Sequence, residues 1–385
     1  MMAQALINAR VLTPDGVQDG LAVVIDQGRI AALIAPRDVP VGMARFDTGG
    51  QLLLPGFIDT QVNGGGGVLF NDAPTVETIA TIGAAHRRFG TTGFLPTLIS
   101  DDLGTIARAL DATRAAIAAG VPGVLGVHIE GPFISMERRG IHDPARLRAL
   151  DAEALALLTA PGAGKVVLTL APELVDDPVI SALVGAGVIV AAGHTNATHA
   201  RMQAAFAAGV SGITHLFNAM SPLGSREPGV VGAALAGDPW CGIIVDGCHV
   251  DPVTLRIALA ARRQARFMLV TDAMPCVGLS APSFILQGKT ITVRDGACRD
   301  EHGRLAGSNL DMAAALRNAM ALLGLDLASA SAMASAEPAD FLGLGNQTGR
   351  IRVGARADLV LLDAGMQVVE SWIGGLPAPV CDHAV

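Results

Sequence analysis

What most constrains this chain is the recurrence of short apolar runs through its middle. They fall at 52–58 (LLLPGFI), 91–98, 124–130, 165–170 (KVVLTL), 187–192 (GVIVAA), 211–215, 241–246 (CGIIVD) and 266–271 (RFMLVT). Between most of them lie Ala-rich stretches of helical character, such as 77–89 and 103–119. Each of these two is followed by a glycine, Gly90 or Gly120, where a helix needs a left-handed C-terminal residue. The crossovers after 130 and 215 are instead polar and turn-rich. Strands alternating with helices define an α/β chain, and eight such runs predict a (β/α)8 TIM barrel. An open doubly wound sheet shows the same alternation, so periodicity by itself leaves both on the table. Two further helices are expected at 309–322 and 326–341.

The chain ends differ from this middle. "ALINARVLTPDG" and "LAVVIDQGRIAALI" read as strands separated by turns, and "GRIRVGARADLVLLDAGMQVVESWIGG" repeats that signature near the other terminus. Each end exposes an apolar face that the other is able to cover. The expected layout is a small β-sandwich built from residues 1–53 and 345–385, with a catalytic barrel over 54–344. Residues 278–308 read as short strands and turns inserted after the eighth run. They are expected to form a lid or pocket wall, with no catalytic candidate of their own.

Composition narrows the function classes. A net charge of −8 and the absence of a Lys/Arg run argue against a nucleic-acid partner. No apolar run reaches membrane-spanning length, and the opening MMAQALINARVLTPDG lacks the organisation of a signal peptide. Five cysteines, at 241, 248, 276, 298 and 381, form no CxxC pair. That pattern suits a reducing compartment, so a cytoplasmic location without a membrane partner is expected.

The polar residues carry the functional signal by where they fall. Glu130 ends the third run, His194 follows the fifth, His215 ends the sixth and Asp272 follows the eighth. In a barrel, strand C-termini form the active-site face. One carboxylate and two imidazoles there suit a zinc-like divalent ion with a position left for water. Asp272 is either a helix cap or a general base, and its strand-end position favours the base. His199, within the next helix, reads as structural, as does Asp59. At the end of the first run Gln61 and Asn63 are neutral amides, poor replacements for imidazoles on a transition metal. The glycines at 64–67 lack a phosphate-loop ending and read as a tight turn.

Seven blocks, "LPGFIDTQVNGGGG", "GVHIEGPFIS", "AAGHTNAT", "THLFNAMSPLGSREPGVVG", "CGIIVDGCHV", "LVTDAMP" and "LAGSNLDM", occur in an order that resembles the N-acetylglucosamine-6-phosphate deacetylase family of the amidohydrolase superfamily. The resemblance covers essentially the whole chain and implies the barrel rather than the open sheet. It implies hydrolysis of the acetamido group of N-acetylglucosamine 6-phosphate to glucosamine 6-phosphate and acetate. It assigns the metal to Glu130, His194 and His215, acid/base catalysis to Asp272, and polarisation of the substrate carbonyl to His142. Asn218 and Ala219 match sugar contacts, Arg226 and His249 match 6-phosphate contacts, and Leu310 matches a backbone contact. A homodimer in which the neighbouring subunit completes the site is also implied. Some family members carry an H-x-H pair and two metals. Gln61 and Asn63 stand there instead, so one metal per subunit is expected, zinc or else iron or another divalent ion. Other amidohydrolases would carry H-x-H and often a bridging carboxylated lysine, whereas Lys165 sits at the wrong end of the fourth run. A non-catalytic sugar-phosphate sensor would have lost Asp272 or a ligand.

Overall fold

The computed structural model describes residues 3–262, 266–294 and 296–378; Cys381 lies outside them. Eight parallel strands follow one another around a barrel: β1 (Phe57–Val62), β2 (Thr91–Ile99), β3 (Gly126–Glu130), β4 (Lys165–Leu170), β5 (Ile189–Ala192), β6 (Gly212–Ile213), β7 (Trp240–Ile243) and β8 (Phe267–Leu269). A parallel bridge between Val62 and Ala273 closes the ring. Beside it the Asp272 N–H donates to the Gln61 carbonyl at 3.0 Å and the Asn63 N–H to the Ala273 carbonyl at 2.9 Å. The expected helices form at Val76–Arg87 and Leu103–Ala118, each started by a side-chain cap, from Thr75 and Asp102. Gly90 and Gly120 follow them with φ of +84° and +71°, the left-handed region that glycine enters without a steric penalty.

The run 52–58 is two strands, not one. Leu52–Pro55 joins the sheet of the chain ends, pairing with Arg10–Val11 on one side and Leu359–Leu362 on the other. The chain then crosses at Gly56 to begin β1. A Cβ on Gly56 would stand 2.1 Å from Thr92 Oγ1, so only glycine fits this crossing. All of Leu52–Pro55 and Phe57–Val62 is buried, so no alternation of polarity marks the change of sheet.

The terminal strands form one mixed sheet, in the order Leu376–Pro377, Val368–Ile373, Leu359–Leu362, Leu52–Pro55, Gln4–Thr13, Gly16–Asp26, Arg29–Ile34, with Ala44–Asp47 also paired to Gln4–Thr13. The sheet rolls back on itself. Ile30 donates its N–H to the Ala355 carbonyl and accepts from the Gly354 N–H, both at 2.8 Å. Leu6, Val23, Ile25, Leu53, Leu361 and Trp372 fill the space so enclosed.

After β8, residues Ser283–Leu286, Lys289–Arg294, Ala297–Arg299 and Leu305–Ser308 form a four-stranded antiparallel sheet. Its apolar face, with Leu286, Ile291, Cys298 and Ala306, packs on Leu69, Ile99, Met274 and Cys276 at the barrel mouth. The helix Met312–Leu323 follows. At the opposite end Ala339, Phe341 and Leu342 pack against Ile58, Leu95, Val167, Ala191 and Met268 from inside the barrel. One end is therefore plugged by apolar side chains, which leaves the C-terminal strand ends for polar chemistry. Among the described residues no helix is long and apolar enough to cross a membrane.

Candidate metal and catalytic site

Glu130 is the last residue of β3, while His194, His215 and Asp272 follow β5, β6 and β8. The latter three adopt positive φ, +50°, +31° and +51°, uncommon for residues with a Cβ. Such backbone strain persists only where the surroundings impose it, and it clusters at functional sites. Glu130 Oε1 lies 3.1 Å from His194 Nε2 and 3.0 Å from His215 Nε2, and the two Nε2 atoms are 3.0 Å apart. All three residues are at most 5% exposed.

This arrangement fits a cation. His194 Nδ1 lies 2.8 Å from the carbonyl oxygen of Arg138, an acceptor only, so Nδ1 carries a proton and it is Nε2 that can present a lone pair. That lone pair faces a second imidazole nitrogen and a carboxylate oxygen. Without a positive charge among them, three electron-rich atoms would crowd one buried point. Two imidazoles and a carboxylate suit a borderline divalent ion. Among the described residues this is the one cluster of at least three His, Cys, Asp or Glu with such convergence.

The first-strand amides turn out to be donors. Gln61 Nε2 is 3.2 Å from both oxygens of Glu130 and 3.2 Å from Asp272 Oδ1, and Asn63 Nδ2 donates to the same Asp272 oxygen at 2.7 Å. Where two-metal enzymes would need ligands, this chain supplies N–H groups that hold two nearby carboxylates. Burial, and then the charge of Glu130, push the Asp272 carboxyl up to about 6, against the hydrogen bond from Asn63. Asp59 lies behind this layer. It accepts from the Thr271 hydroxyl at 2.5 Å, the Thr271 N–H at 3.3 Å and the Gln61 N–H at 3.1 Å, and so links β1 to the segment after β8.

His142 lies on the loop after β3. Its Nδ1 accepts from the Ser100 N–H at 3.3 Å and sits 2.7 Å from the Ser100 hydroxyl. Burial, then His194, hold its pKa down at about 3, so the ring is neutral. With Nδ1 accepting, the remaining proton is on Nε2.

These groups line a cavity of about 350 Å³. Asn63, Glu130, His142, His194, His215 and Asp272 form one part of its wall, and Asn218, Ala219 and His249 extend it. His249 Nδ1 donates to Asp246 Oδ2 at 2.6 Å, which leaves its Nε2 unengaged by that contact. Gln61 sits behind the lining. Arg226 is on the exposed stretch 222–227 and is not among the lining residues. Leu310 is buried outside the lining, and its N–H is taken by Ser308 Oγ at 3.0 Å. The insertion supplies pocket wall: Arg304, Leu305 and Gly307 line the same cavity. Sequence reasoning passed over Ser100, Glu137, Arg138 and Arg304. The role of Arg138 is carried by its carbonyl, which has no residue-type signature at all.

A β/α barrel that gathers Glu, His and His around one point beside a half-buried aspartate defines a metal-dependent hydrolase scaffold. Residues 52–382 match the model of the amidohydrolase family. An N-acetylgalactosamine-6-phosphate deacetylase of Shewanella sp. strain ANA-3 is 44% identical, over 95% of this chain and 94% of its own length. An N-acetylglucosamine-6-phosphate deacetylase of Haemophilus influenzae is 36% identical, over 97% and 99%. The crystal structure of N-acetylglucosamine-6-phosphate deacetylase from Pasteurella multocida superposes with a TM-score of 0.95 at 35% identity, covering 98% of this chain and 99% of that one. The chain belongs to the amidohydrolase family and is closely related to its amino-sugar-phosphate deacetylases.

Proposed function

We propose that this protein hydrolyses the acetamido group of N-acetylglucosamine 6-phosphate, giving glucosamine 6-phosphate and acetate. The observation that carries the reading is the convergence of Glu130, His194 and His215 beside Asp272 in a cavity large enough for a sugar phosphate. The 44% identical relative favours a second substrate, N-acetylgalactosamine 6-phosphate, which differs in the configuration of one ring hydroxyl.

Glu130, His194 and His215 hold one divalent ion per subunit. We assign zinc, with ferrous iron the alternative for the same donors. Such an ion, when bound, supplies Lewis-acid polarisation and lowers the pKa of a coordinated water. Asp272, ionised at the start, accepts the proton of the attacking water. The Nε2–H of His142 donates to the acetamido oxygen as charge builds there in the tetrahedral intermediate. Asp272 then passes its proton to the departing nitrogen as the C–N bond breaks. Asn218 and Ala219 contact the sugar. His249 takes the 6-phosphate together with Arg226 of a second subunit. That assignment suits an arginine on a loop away from its own cavity, near a Leu223 that is 60% exposed. Charge keeps a phosphorylated sugar from crossing a lipid bilayer, so the reaction belongs in the cytoplasm with its substrate.

The test is acetate release from both epimeric sugar phosphates, paired with metal analysis of the purified protein. Metal-replete protein that releases acetate from neither would end this reading.

A further inference from the structure

We propose that Arg304, carried by the insertion after β8, binds the phosphomonoester of the substrate from within the same chain. The proposal rests on the deacetylase reading of the site and names a second phosphate cation for it. Arg304 immediately precedes the strand Leu305–Ser308. At the other end of that strand, the Ser308 N–H donates to the Asp272 carbonyl at 2.9 Å and the Ser308 carbonyl accepts from the Met274 N–H at 3.0 Å. At the rise of an extended strand, the Arg304 Cα stands at most about 13 Å from that of Ser308, less the bend where Gly307 takes a φ of +66°. The wall thus runs from the aspartate at the reacting end to a guanidinium at the outer end, with Leu305 and Gly307 between them on the cavity. A substrate with an amide at one end and an anion at the other matches that order.

The arginine is held in place but its charge is not used up. Its Nε donates to Asp300 Oδ2 at 2.9 Å and its N–H to Asp300 Oδ1 at 2.9 Å, where the His302 N–H also donates at 3.0 Å. Both oxygens of that carboxylate are engaged, and its side chain is 2% exposed against 50% for Arg304. The two Nη groups have no hydrogen-bond partner among the described residues. They form the planar fork that meets a phosphate through two parallel hydrogen bonds, a geometry lysine does not reproduce. The other arginine of the lining, Arg138, likewise engages a neighbour through Nε, Asn196 Oδ1, but it stands at the reacting end, where its carbonyl lies 2.8 Å from His194 Nδ1.

The experiment compares wild type, Arg304→Ala, Arg304→Lys and Arg226→Ala on the phosphorylated and unphosphorylated N-acetylhexosamine, with inorganic phosphate as competing anion. For Arg304→Ala the preference in kcat/KM for the phosphorylated sugar is expected to fall at least tenfold, mainly through KM. The inhibition constant of inorganic phosphate should rise by a similar factor, and Arg304→Lys should recover only a minor part. A preference that falls in Arg226→Ala but stays at the wild-type ratio in Arg304→Ala overturns the proposal. So does an equal loss on both sugars. Should wild type release no acetate, the deacetylase reading fails on its own. Thermal-shift titration with inorganic phosphate still tests Arg304, and an unchanged response in Arg304→Ala would refute it.

Discussion

At the residue scale, the proposed reaction depends on two groups kept in different protonation states, the buried His142 and the half-buried Asp272. His142 is neutral with its proton on Nε2, because Ser100 donates to Nδ1 and burial resists a charge. In the proposed reaction Asp272 must be ionised to accept a proton, although burial and Glu130 push its carboxyl up to about 6. The sign follows directly: the active base is present above that pKa and lost below it. We expect kcat/KM to fall on the acid side with a single-proton limb. A bound cation favours the ionised carboxylate and moves the limb below pH 6. Asp272→Asn keeps the hydrogen-bonding shape but removes the base. Turnover should drop on the order of a thousandfold while metal content per subunit stays at the wild-type value. Near-normal kcat in that variant would remove Asp272 from proton transfer.

At the scale of elements, the residues proposed to hold the metal depend on segments outside their cluster. The Arg138 carbonyl fixes the His194 ring, and the turn carrying it is pinned by Asn196. That side chain accepts from Arg138 Nε and donates to Glu137 Oε2 at 2.5 Å, while its N–H donates to Glu173 Oε1 at 2.6 Å. Asn196→Ala should weaken metal affinity by roughly 10- to 100-fold, measured by competition with a chromogenic chelator. Equal affinities would show that the turn holds without it. Asp59 has the matching role at the barrel seam. Asp59→Ala strands the buried N–H groups of Thr271 and Gln61 and leaves the Thr271 hydroxyl only its long contact to the Gln61 carbonyl, and should cost about 3 kcal/mol in unfolding free energy. A denaturant midpoint equal to wild type would count against the seam as a stabilising contact.

For the whole molecule, the reaction proposed above calls for two copies. In one chain Arg226 lies away from the cavity, and the proposed reaction gives it to the neighbouring subunit's site. Arg226→Ala and Asp272→Asn are each expected to be nearly inactive alone. Co-refolded, they should form hybrid dimers in which one site has both an intact base and an intact arginine. Random pairing predicts about a quarter of wild-type activity in the mixture. No recovery from a mixture shown to contain hybrids would mean that each chain completes its own site.

The amino-acid sequence determined what depends on local pattern. Its alternating apolar runs define the β/α units, and its Glu, His, His and Asp fall at strand ends in an order that a barrel brings together. Tertiary structure alone decided the division of 52–58 at Gly56, because both halves are fully buried and carry no period. It alone turned Gln61 and Asn63 into donors for Glu130 and Asp272, placed the Arg138 carbonyl against His194, and set Arg304 on the cavity wall. Each of these is a contact between residues far apart in the chain or made by backbone atoms. Such contacts are set by how strands close and loops fold over them, and neighbouring residue types do not encode them.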